Sequence, residues 1–114
     1  MNCTSEVKDG VTILRLQDER LDHLLSSTLK AELLQLAQEK KIHLLLDLEQ
    51  VDFVDSSGLG AILFGIRQLR SQEGALKLVN LQPRVLALIK IAKLDTVIES
   101  YDDESEAIAS FGTG

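Results

Sequence analysis

The stretch Val51-Asp52-Phe53-Val54-Asp55-Ser56-Ser57-Gly58-Leu59-Gly60 decides how the chain reads. It follows an unbroken apolar run, Leu44-Leu45-Leu46, and leads into apolar residues that recur at helical spacing. A short apolar run without alternation fits a central strand covered on both faces. Asp and Ser ahead of an apolar-periodic segment fit a helix start, because their side-chain oxygens accept the free N–H groups of a first turn. The spacing therefore predicts a strand from His43 to Leu48 and a helix from Ser56 to about Glu73, with Gly74 as its stop.

Working outward, Val11 to Leu16 is short and rich in β-formers and reads as a strand. Asp9-Gly10 is a turn signal before it, so Thr4 to Lys8 can pair with it as a hairpin. Gln17 to Leu25 reads as a polar connection. Ser26 and Ser27 can cap the next helix, in which Leu29, Leu33, Leu36 and Ala37 recur at helical spacing. Lys40 and Lys41 fall at its end, where cations suit the helix dipole. Ala75 to Asn80 reads as a strand. Pro83 suits a first helical turn, with the helix carried by Val85 to Lys93. Val97 to Ser100 reads as a last short strand, and Asp103 to Phe111 as a closing amphipathic helix.

Strands alternating with helices predict an α/β fold with right-handed crossovers. The expected architecture is one domain over residues 1–114. Its small mixed sheet is mostly parallel, with about four helices, mostly on one face. A chain of 114 residues with 45% apolar residues can bury a real core. Only 4% of the residues are aromatic, which leaves few platforms for stacking bases. The net charge of −6 repels phosphate backbones and anionic lipid, so neither nucleic acid nor direct membrane insertion is expected. Cys3 is the single cysteine, near the N-terminus, and can form no internal disulfide. With no signal-peptide pattern and no span-length apolar run, the expected address is cytoplasmic.

Catalytic and metal chemistry find little support. His23 and His43 are the only histidines, and neither has a Ser or Cys nucleophile at a recognisable motif spacing. The acidic group Asp47, Glu49, Asp52 and Asp55 is tempting for Mg²⁺, but its members fit turn caps better. There is no phosphate-binding loop of the G-x-x-x-x-G-K-[ST] type, and Gly58-Leu59-Gly60 is too short for a nucleotide cradle. The chain is expected to carry no cofactor and no metal, and not to be an enzyme.

The helix after Asp55 has two faces. Leu59, Ile62, Leu63, Ile66 and Leu69 form an apolar stripe expected to face the core. Gly58, Ala61, Phe64, Gly65 and Gln68 lie opposite, where small residues would let a partner approach. Phe64 is either a second core contact or an exposed anchor of the kind that supplies much of a binding energy. A helix start also favours an anion, so a phosphate on Ser56 could be held there without unfolding the domain, with Asp55 partly opposing it.

The segment from Val51 to Leu63, together with His43 to Leu48 and Arg20-Leu21-Asp22, resembles the STAS domain family. It is similar in type to stand-alone bacterial anti-sigma factor antagonists. The resemblance runs from about Glu6 to Phe111. It implies a partner-switching module that binds a GHKL-type serine kinase, itself an anti-sigma factor, while Ser56 is unphosphorylated. The kinase then phosphorylates Ser56 and the complex separates, and a PP2C-type phosphatase restores the active form. The resemblance assigns phosphorylation to Ser56, with Ser57 as the alternative. Partner-binding residues are expected to be Asp22, Asp55, Ser56, Ser57, Gly58, Ala61 and Phe64. Many members have Gly before the Leu-Asp pair, where this chain has Arg20. The alternative role implied by the family is a soluble accessory subunit of a lipid-transport ABC system or a sensory assembly.

Overall fold

A computed structural model of the chain describes residues 1–112. The expected domain runs to residue 114, so its last two positions lie outside the described residues. The chain opens with the antiparallel hairpin β1 (Cys3–Lys8) and β2 (Val11–Leu16). Asp9 and Gly10 make its turn, both with left-handed φ, at 52° and 79°. There follow β3 (Arg20–Leu21), α1 (Ser26–Gln38), β4 (His43–Asp47), β5 (Phe53–Val54) and α2 (Ser56–Arg70). The chain closes with β6 (Ala75–Val79), α3 (Pro83–Ile91), β7 (Ser100–Tyr101) and α4 (Glu104–Ala109). The main sheet has the order β1-β2-β4-β6-β7, parallel throughout except at β1.

Strand side chains alternate between faces, and here both faces are apolar. Leu14, Leu16, Leu44, Leu46, Leu76 and Leu78 share one core cluster with the buried residues of α1, α2 and α3. Val11, Ile13, Leu45 and Val79 point the other way, against Ala107 and Ile108 of α4. The unalternating Leu44-Leu45-Leu46 run is thus a strand feeding two cores, and three of the four helices lie on one face, as expected.

The second face is fastened by charge as well as by packing. The Arg15 guanidinium donates to Asp47 at 2.7 Å, to Glu104 at 2.6 Å and to Glu6. Lys8 Nζ reaches Glu104 at 2.9 Å. Hydrogen bonds from Arg15 and Lys8 hold the Glu104 carboxyl down at about 2. Lys77 is buried, and its Nζ donates at 2.9 Å to both the carbonyl and the Oγ of Ser110. It also meets Glu99 at 3.0 Å and lies 4.7 Å from the Phe111 ring centroid.

Several local expectations need correction. Leu25, not Ser26 or Ser27, is the N-cap of α1, and no side chain caps it; the Leu25 and Ser26 amides donate instead to the Asp22 carbonyl. The polar connection contains β3, which pairs with β5 in a small parallel sheet. Helix α2 ends at Arg70, and Glu73 rather than Gly74 takes the left-handed conformation, with φ 64°. Gly74 is required for closeness, since a Cβ there would lie 2.3 Å from the Ile42 carbonyl oxygen. The last strand is Ser100–Tyr101, because the Ile98 amide bonds back to the Leu94 carbonyl in a turn that drops Ile98 into the core. Cys3 opens β1. It pairs with Leu16 in the hairpin, and burial pushes its thiol up, away from the reactive thiolate.

Candidate functional site

Asp55 organises the start of α2. Its backbone is extended, and its Oδ1 accepts the Gly58 amide at 2.9 Å, making the predicted N-cap. Its Oδ2 accepts the His23 amide at 3.2 Å, and its own N–H donates to the Leu21 carbonyl at 3.3 Å. One carboxylate thus ties together the loop after β3 and the first turn of α2. The His23 imidazole is exposed, with Nδ1 3.9 Å from Asp55 Oδ2.

Ser56 is the first residue of α2 and is exposed; Ser57 is half-buried. The first amides of a helix have no partner within it, so they surround the Ser56 position with donors. Gly58 fixes the seat of this turn. A Cβ on it would lie 2.3 Å from the Leu21 carbonyl oxygen and 2.9 Å from Val54 Cγ1.

That closeness overturns the expected role of Gly58 and Ala61 as partner-facing residues. Both are buried, as is Gly65, whose Cβ would lie 2.6 Å from Leu33 Cδ1. The small residues let α2 approach β3 and α1, not a partner. Leu63, placed on the core stripe, is only half-buried at its edge. Phe64 is half-buried, with Lys30 Nζ 6.0 Å from its ring centroid. The face of α2 that stays accessible runs Ser56, Gly60, Leu63 and Arg67. Steps of three and four from Ser56 would have found it in the sequence. Nothing within 4 Å would obstruct a Cβ on Gly60.

Asp22 is brought beside this site but turned inward, 9% exposed. Its Oδ1 accepts the Leu24 amide at 3.1 Å and its Oδ2 the Arg20 Nε at 3.4 Å. Burial opposes its ionisation, and the Leu24 amide and Arg20 outweigh that to hold its carboxyl below the usual range. Its visible work is to shape a turn that leaves His23 and Leu24 outermost, Leu24 at 73% exposure. Sequence reading missed Leu24, which carries no periodic signal in a loop.

Two of the four acidic residues considered for Mg²⁺ are spent elsewhere. Asp47 meets Arg15, the Glu49 amide and Asn80, and Asp55 caps α2. Among the described residues no group of three His, Cys, Asp or Glu is placed to hold a metal ion. His43 packs its ring 5.8 Å from that of Phe111. Among the described residues no helix is long and apolar enough to cross a membrane.

Such an arrangement defines an α/β binding domain whose accessible chemistry is a serine hydroxyl at a capped helix start. The STAS domain model matches residues 2–107, and the chain belongs to that family. It is 32% identical over 100 residues to the anti-sigma F factor antagonist of Paenibacillus polymyxa, covering 87% of this chain and 85% of that one. The fold is shared with an anti-sigma factor antagonist from Mycobacterium paratuberculosis, at TM-score 0.85 and 21% identity, covering 96% of this chain and 92% of that one. It is shared also with the Bacillus cell fate determinant SpoIIAA in its phosphorylated form, at TM-score 0.71 and 24% identity, covering 96% and 98%.

Proposed function

We propose that this chain is an anti-sigma factor antagonist, a non-catalytic cytoplasmic domain whose binding to a kinase is switched by phosphorylation of Ser56. The observation that carries the reading is the position of that residue: exposed, first in α2, beside a cap that Asp55 already satisfies. The relationship to an antagonist of an anti-sigma factor supports the same role. The partner is a GHKL-type serine kinase acting as an anti-sigma factor, and a PP2C-type phosphatase resets the switch.

The physics needs no large rearrangement. A phosphoryl group adds roughly −1.5 to −2 charges near neutral pH. In the free domain the charge sits in water at a helix start, where the dipole favours it. In a complex it must be desolvated against the kinase, at a cost of several kcal/mol unless cations meet it. Asp55, whose carboxylate is held facing the same turn, adds like-charge repulsion. Docking is expected on the accessible face of α2, with Ser57 and Phe64 at its border and Asp22 acting through the turn it shapes.

The test is to incubate the chain with candidate GHKL kinases, ATP and Mg²⁺, map the phosphate, and measure affinity before and after. Phosphate on Ser56 with loss of binding is expected, and Ser56→Ala should bind and stay unlabelled. Phosphate on Ser57 alone, or unchanged affinity after modification of Ser56, would overturn the reading.

A further inference from the structure

A groove of about 320 Å³ runs between β5 and α3, on different elements from the accessible face of α2. Phe53 and Val54 form one wall, and Arg84, Ala87, Leu88 and Ile91 the other. Helix α3 is apolar on two sides. Val85 and Ile89, each 1% exposed, fill the core, yet Ile91 is 78% exposed and Ala87 is exposed. Positions 84, 87, 88 and 91 follow the spacing of one helix face. A surface helix normally has a single apolar stripe, so a second one calls for a second cover.

Charge says what that cover is. The chain is acidic overall, but α3 and the two residues after it contain no acidic residue and carry Arg84, Lys90 and Lys93. Arg84 lines the groove itself. Outside the lining, the exposed Arg20 guanidinium stacks over Phe53, 4.0 Å from the ring centroid, while its Nε meets Asp22. An apolar floor with Arg84 in its lining and Arg20 against Phe53 fits an amphipathic segment with apolar residues on one side and carboxylates at its border. A flat anionic membrane fits less well, because the site is recessed between β5 and α3.

The geometry points to this groove as a second docking site, for an acidic amphipathic helix of a partner protein. The inference stands independently of Ser56 phosphorylation. Its test is a titration of the isotope-labelled full chain, followed by amide NMR, with a 16-residue helical peptide bearing Leu on one face and Glu along the flanks. The same peptide with Lys in place of Glu, and vesicles of phosphatidylglycerol and phosphatidylcholine, are run alongside. Expected are shifts confined to β5 and α3 with the Glu peptide, weakening as salt rises. Ile91→Asp and Arg84→Glu, both at exposed positions, should each weaken binding at least tenfold with unchanged thermal midpoints. Equal binding of the Lys peptide, binding to vesicles but not peptide, no binding of the Glu peptide, or insensitivity to both variants would overturn the inference.

Discussion

The start of α2 and the face covered by α4 use charged side chains in opposite ways. On the α4 face, Arg15, Lys8 and Lys77 are consumed by Glu6, Asp47, Glu104, Glu99 and Ser110, and the product is attachment. At the α2 start a single carboxylate, Asp55, satisfies two amides from two chain segments, and the Ser56 hydroxyl stays accessible. Ionic clusters here hold the scaffold, while a single carboxylate suffices at the helix start.

The contrast can be broken first at Ser56. Ser56→Asp should lower affinity for the kinase roughly 100-fold, about 2.8 kcal/mol, with an unchanged unfolding midpoint. Isothermal titration and thermal melts separate the two effects, and a matching loss of stability would mean the position is structural.

Gly58→Ala should act the other way, on folding before binding. Its methyl meets the Leu21 carbonyl, which is backbone and cannot swing aside, so denaturant unfolding should show a loss of about 2 kcal/mol. An unchanged midpoint would show that α2 is not seated as tightly as described.

Acid should find the α4 face. Glu104 is held at about 2, below its ordinary 4.5. Its contribution is therefore present above 4.5 and lost as pH falls toward about 2. Glu104→Gln should cost about 1 kcal/mol at neutral pH and flatten the acid limb of the stability profile, with kinase affinity untouched. An acid limb as steep as in the natural chain would assign the loss to other carboxylates.

The smallest effect sharpens the contrast within α2 itself. Gly60→Ala should stabilise the fold by about 0.7 kcal/mol, since helix interiors favour Ala and nothing obstructs the added methyl. The same methyl lies one turn from Ser56 on the accessible face, so kinase binding should fall a few-fold. Unchanged binding would remove Gly60 from the docking surface.

These expectations depend on how far the sequence could be read. The long elements announced themselves, because the Leu44-Leu45-Leu46 run and the Leu29-Leu33-Leu36 spacing leave few other folds. The pairing of β3 with β5 could not be seen, since each strand has only two residues and no period. The face of α2 was misjudged for a different reason. Large apolar residues suggest a core and small ones an opening, yet Gly58 and Gly65 are where α2 comes closest to its neighbours, and Ala61 is buried beside them. Asp22 was legible as important to the loop, but not as a residue that turns inward and leaves Leu24 outermost.

The two borders of the main sheet carry one more consequence. Each outer strand leaves backbone donors and acceptors without a neighbour, an invitation to stray chains. At one border β7 spans only Ser100–Tyr101, too short to template much. At the other, β1 interposes the charges of Glu6 and Lys8 around the exposed Val7, and the hairpin keeps β2 and its apolar residues away from the rim. The domain is thereby guarded at both rims against strand-to-strand aggregation.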